Sequence, residues 1–238
     1  MSRGDRARSC RAEYAYYDAI PSSDPDVIEP LDVLVTVAMN SFVNTAVKVR
    51  LVHQGMAANC EPLLGTIPEH ADLVDLEHWR TPLRELLHAA VQAPRVLIPV
   101  ATKVVHRKRR LLIPMLDSVV LRHYLSAPEF KAPLAGTENK ARAADVAMEA
   151  LRLFRDDLLA RRNEIDALRK RLAREGFALT PVRILEVLVS TQMEPPGATA
   201  RPLVRERSRR REARPDRTSG ESRRVGSGSR RCGRARPA

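Results

Sequence analysis

The sequence predicts a mainly α protein, a compact multi-helix domain followed by a disordered basic C-terminal tail. Three observations predict it. Apolar residues recur at three- and four-residue steps through the middle of the chain, Thr-Pro pairs mark two helix starts, and arginine accumulates at the C-terminal end. With 238 residues the chain can bury a substantial core, which its aliphatic content supports although aromatics make up only 4%. On this reading residues 1–13 are a flexible N-terminus, residues 14–194 the helical domain and residues 195–238 the tail.

The elements follow in order. Up to residue 29 the chain reads as irregular, with PSSDPD as a breaker cluster. Tyr14, Tyr16 and Tyr17 at this domain edge either fold back as a lid on the core or stack on bases. From Pro30 to Val52 there is neither Gly nor an interior Pro, and Leu31, Leu34, Ala38, Phe42 and Val49 suit helical faces. Two helices with a break near Asn40 to Asn44 fit this stretch, against the strand preference of VLVTV at 33–37.

Thr81 and Pro82 predict a helix start, because the Thr oxygen can accept an orphan amide and Pro suits the first helical position. Leu83, Leu86, Leu87, Ala90 and Val91 form its buried face, and Trp79 sits just before it as a core plug. A long amphipathic helix over about 141–175 follows from the spacing of Leu151, Phe154, Leu158, Ile165, Leu168 and Leu172, with Arg161 completing the series. Its stripe packs either on its own domain or in a coiled coil. Gly176 supplies a left-handed cap, and Thr180 with Pro181 starts a last helix whose inner face carries Ile184, Leu185, Leu188 and Val189. APEFKAPLAGTENK, 127–140, is the most obvious internal loop, and no solenoid repeat is present.

Charge is unevenly placed. The net charge is +12, and residues 201–238, with 14 Arg and 4 acids, carry +10 of it. Such a segment buries too little apolar surface to offset its ordering entropy, so it reads as disordered: a polyanion-binding arm, or a solvated extension in a chain with 35 Arg and 6 Lys. Cys10, Cys60 and Cys232 are too scattered for a disulfide framework or a zinc site. The absence of an apolar signal core and of a membrane-length apolar run predicts a reduced cytoplasm and no membrane partner.

The stretch KVVHRKRRLLIPMLDSVV, 103–120, concentrates the chemistry. Residues 101–109 read as helix, Arg110 to Ile113 as its exit, and Pro114 as the first turn of a second helix running to Leu125 with Asp117 near its positive end. Lys103, His106, Arg107 and Arg110 share one face, with Lys108 and Arg109 beside them. Such a basic face can grip a phosphate backbone, or it can be solvated and partly neutralised by Asp117. His106, tuned by its neighbours, could also do acid/base work with Lys103 and Asp117.

These residues, followed by the long helix and by TPVRILEVLVS, resemble an uncharacterised bacterial domain family with the pattern K-x-x-x-R-K-R-P-x-L-I-P-x-x-D-S-V-V. Arg110 stands where that family has Pro. A more distant resemblance is to helix-hairpin-helix DNA glycosylases. That resemblance implies a phosphate-holding hairpin near PRVLIPVATK, Lys103 as candidate nucleophile and Asp117 as candidate catalytic carboxylate. PRVLIPVATK has no Gly, and Pro99 removes an amide from it.

No phosphate-binding Gly loop, nucleophile elbow, HExxH or dinucleotide fingerprint occurs, and no cofactor or metal is expected. His53, His70, His78 and His88 lack metal-ligand spacing, and Arg183 and Glu186, one turn apart, are expected to pair. Two functional expectations result. One is a nucleic-acid-binding domain that meets DNA or RNA phosphates through Lys103, Arg107, Lys108 and Arg109. The other is a structural or protein-interaction domain in which the same residues form internal ion pairs; an enzyme acting on nucleic acid is a third.

Overall fold

Residues 17–22, 24–36, 46–94, 96–125 and 140–192 are described by a computed structural model. They all fall in one compact unit, Met1–Pro196, and none of them is in a β-strand. The expectations for residues 1–13, Tyr14, Tyr16, the break near residues 40–44, the 127–139 loop, the 195–238 tail, Cys10 and Cys232 lie outside the described residues.

The elements run α1 (Pro30–Val35), α2 (Ala46–Leu64), a 3-10 turn (Leu73–Asp75), α3 (Leu76–Gln92), α4 (Ile98–His106), α5 (Ser118–Tyr124), α6 (Lys140–Ala160), α7 (Arg162–Arg174) and α8 (Pro181–Gln192). α3 is central and packs against α2, α4 and α6, while α8 packs against α5, α6 and α7. Leu83, Leu86, Leu87, Ala90 and Val91 of α3 are buried, as their spacing predicts, and meet Leu151 and Phe154 of α6 in one continuous core. Gly55 allows α2 its approach to the end of α3, since a Cβ there would lie 2.8 Å from Pro94 Cδ and 3.0 Å from the Ala93 Cβ.

Several element boundaries differ from the expectations. α3 starts at Leu76, and Pro82 stands inside it. Asp72 caps the preceding 3-10 turn by accepting from Val74 N at 2.9 Å, and burial of Leu76 with partial burial of Trp79 offsets the hydrogen bond that Pro82 cannot make. The second helix of the basic motif starts at Ser118, not at Pro114. The Asp117 carboxylate sets that start, accepting from Val119 N at 2.8 Å and Val120 N at 2.9 Å as the N-cap.

The long helix divides at Arg161, whose ψ of 13° leaves helical geometry. Its stripe serves two neighbours: Leu151, Phe154 and Leu158 face the main core, while α7 turns towards α8. Gly176 closes α7 with a φ of 88°, and Thr180 Oγ1 accepts from Arg183 N at 3.1 Å at the head of α8, both as expected.

α1 shows the most telling difference. Leu31 and Leu34, which suit a helical face, are 42% and 52% exposed, whereas Asp32, Val33 and Val35 are buried. The helix is rotated so that a carboxylate, rather than leucine, faces inward. The reason lies in the basic motif.

Candidate functional site

α4 ends at His106, and the next three residues turn back towards the N-terminal part of the chain. Lys103, Arg107, Lys108 and Arg109 are buried, at 6%, 3%, 1% and 1% exposure, instead of forming a solvent-facing basic surface. A buried Lys or Arg is tolerable only where its charge and donors are satisfied. For Arg107, Lys108 and Arg109 the donors are met by residues far away in sequence.

Residues 17–26 form a strap across these cations. Arg107 Nε pairs with Asp32 Oδ1 at 2.8 Å, and its Nη2 donates to Pro21 O at 2.9 Å. Lys108 Nζ meets the other Asp32 oxygen at 2.7 Å, Ser22 Oγ at 2.7 Å and Asp24 O at 2.8 Å. Arg109 binds Asp26 at 2.6 Å, Pro25 O at 2.7 Å and Ile67 O at 2.6 Å, and it also donates to Leu64 O. Arg109 thereby binds the last carbonyl of α2, Leu64 O, which also accepts from Ile67 N at 3.0 Å, and Ile67 O just beyond the helix.

Asp32 is the shared anion, and it also accepts from Glu29 N at 2.9 Å within the capping box of α1. Burial alone would raise its pKa. The hydrogen bonds from Lys108, Arg107 and the Glu29 amide prevail and hold the carboxyl below its ordinary value.

A second polar cluster adjoins the strap. Arg183 of α8 pairs with Glu186 at 2.8 Å, as expected, and with Asp18 at 3.0 Å. Arg183 and Arg107 both lie over the Tyr17 ring, at 5.6 and 5.5 Å from its centroid. Tyr17 takes the packing alternative: it is buried, and its hydroxyl donates to Lys103 O at 2.6 Å. Burial raises the Tyr17 phenol, against the lowering effect of the two arginines.

The fold brings the two catalytic candidates into this cluster. Burial lowers the Lys103 pKa, opposed by the carboxylates of Asp117 and Glu186 and reinforced by Arg183. Glu186 is pushed up to about 7 by burial, which outweighs Arg183, with Asp117 and Asp18 adding to the rise. His106 is pushed down to about 3 by burial and then by Arg183, although its Nδ1–H donates to Ile113 O at 2.6 Å. A neutral, buried imidazole bonded to a backbone carbonyl acts here as a packing group.

Asp18, Asp26 and Asp32 are the members that the motif itself did not disclose. A readable signal existed: residues 17–36 contain five acids and no Lys or Arg, a charge complement to the 103–110 run. Among the described residues no group of three or more His, Cys, Asp or Glu could hold a metal, and no helix is long and apolar enough to cross a membrane. Cys60 is a buried free thiol that burial pushes up to about 12, so it is inert at neutral pH.

Over residues 5–193 the chain matches the model of a family of unknown function (DUF6308), and it belongs to that family. No curated protein and no solved structure matches it.

Proposed function

For this family member we propose a structural or protein-interaction role, in which the cations of the 103–110 motif act inward as an ion-pair network that fastens the N-terminal segment to the helical core. One observation supports the reading above others. The Arg107 and Lys108 side chains are 0% exposed and that of Arg109 1%, each in contact with a carboxylate. With residues 17–26 in place, these donors are enclosed and bonded and closed to a phosphate. Such a network is weak evidence for net stability, because an apolar replacement can do as well; what it supplies is a single register for strap, α1 and α4.

Thermal melts by circular dichroism, run beside fluorescence-anisotropy titrations with duplex DNA on wild type and Arg107→Ala/Arg109→Ala, test the reading. The expected result is a lower melting midpoint, whatever the DNA affinity below it. An unchanged midpoint with loss of salt-sensitive binding would overturn it and favour phosphate contact by the motif.

A second reading, contact with DNA or RNA through other residues, draws on a separate observation. The side chains of Lys170, Arg171 and Arg174 of α7 are exposed and make no ion pair or hydrogen bond among the described residues, and residues 201–238 carry +10. A salt series on Lys170→Ala/Arg174→Ala measures that contribution. Each lost phosphate contact would flatten the dependence of log K on log salt by about 0.9.

A further inference from the structure

We infer that the cation cradle beneath residues 17–26 is a covered anion site, and that a phosphodiester backbone displaces the strap from it. This goes beyond the structural reading above, taking its closed ion-pair network as the resting state.

Three observations carry the inference. The first is charge balance. Arg107, Lys108, Arg109 and Arg183 face four carboxylates, Asp18, Asp26, Asp32 and Glu186, and two of these, Asp18 and Asp26, belong to the strap. Lifting the strap removes two carboxylates, Asp18 and Asp26, from beside these cations, and buried cations require a replacement anion.

The second is the form of the ligand already present. The strap offers its oxygens in linear order along one chain: the Tyr17 carbonyl, the Asp18 carboxylate, the Pro21 carbonyl, the Ser22 hydroxyl, the Asp24 and Pro25 carbonyls and the Asp26 carboxylate. A cradle that reads successive oxygens of one chain suits a linear polyanion better than a single small ion. Arginine forks are matched to phosphate oxygens in this way.

The third is the modest apolar hold on the strap. Its hydrophobic contacts form a small cluster of their own, Tyr17, Val35 and Met115 with Ile20 against them, apart from the main core that begins at Ile28. Ala19, Pro21, Asp24 and Asp26 are exposed. Lifting residues 17–26 therefore leaves the helical core covered, and polar competition governs the strap.

Hydrogen exchange on the full-length protein, with and without a duplex DNA oligonucleotide at low salt, tests this directly. Amides of residues 17–27 are expected to lose protection at saturating DNA while those of α3 keep theirs. In parallel, Asp18→Asn/Asp26→Asn is compared with Glu85→Gln/Glu175→Gln, which removes the same charge from exposed positions elsewhere. The strap variant should bind DNA more tightly than its control, with a salt slope steeper by about 1.8, equivalent to two phosphate contacts.

Unchanged protection over residues 17–27, together with equal binding by the two double variants, would overturn the inference and leave the strap a permanent part of the fold. Neither measurement depends on the melting behaviour of Arg107→Ala/Arg109→Ala, so failure here is separate from failure of the structural reading.

Discussion

Two ion pairs of nearly equal length hold different parts of this protein. Arg84 and Asp145 join α3 to α6 at 2.7 Å with both side chains about half exposed, at 51% and 54%. Arg107 and Asp32 join the basic motif to α1 at 2.8 Å, with 0% and 2% exposed. Distance does not distinguish them; burial does. In the first region apolar packing between α3 and α6 holds the helices, and the charges decorate an interface already made. In the second the charges themselves make the interface, and removal of either partner strands the other in a place without water.

The comparison breaks most sharply at Asp32. Asp32→Asn leaves Arg107 and Lys108 without their shared anion, and a loss of about 3–5 kcal/mol is expected in urea denaturation. A loss no larger than that of an exposed pair would mean water reaches the cluster. Leu86→Ala, in the apolar region, should cost about 2–5 kcal/mol by the same measurement, through lost transfer energy and the cavity left behind. Gly55→Ala should cost about 1–3 kcal/mol, because its Cβ would press on Pro94 and Ala93.

Acidity sharpens the contrast, since among the described residues the buried cluster holds strongly displaced groups of opposite sense. Glu186 is raised from 4.5 to about 7. The folded state therefore binds the extra proton between those values, and the contribution is full below pH 4.5 and is lost as pH rises through 7. His106 is lowered from 6.5 to about 3, so the unfolded state binds the extra proton and stability falls as pH drops from 6.5 towards 3. The two slopes oppose each other between pH 4.5 and 6.5. Glu186→Gln should remove one of them, so its denaturation midpoint is expected to climb more steeply with pH across that window than that of wild type. At the far end of the scale, Arg84→Ala should leave the midpoint unresolved from wild type.

Much of the apolar region was legible in the sequence. The three- and four-residue steps of α3 and α6, the Gly176 cap and the Thr180 start of α8 are local signals, and local physics sets them. Pro82, Pro114 and Arg161 misled because a helix boundary also depends on what packs nearby: Leu76 and Trp79 extend α3 across its proline, and Asp117 captures the start of α5. The polar region was legible only in composition. Spacing grouped Lys103, Arg107, Lys108 and Arg109 without indicating the direction they face, because their partners are remote. Arg107 meets Asp32 across 75 residues and Arg109 meets Asp26 across 83. The orientation of α1 was hidden for the same reason: a helical wheel has no means of showing that Asp32 is drawn inward by cations in another part of the chain.

That remoteness has a consequence for how the protein is made. Residues 17–36 are synthesised before the basic motif, carrying five acids and no Lys or Arg. Their counter-charges are synthesised only with the end of α4, 75 residues after Asp32. Throughout that interval the strap and α1 have no buried anchor of opposite charge, while α2 and α3 can already begin to pair. Residues 17–36 are thus made well before the cations that bury their carboxylates, and a chain interrupted before Arg107 would hold those five acids unfastened.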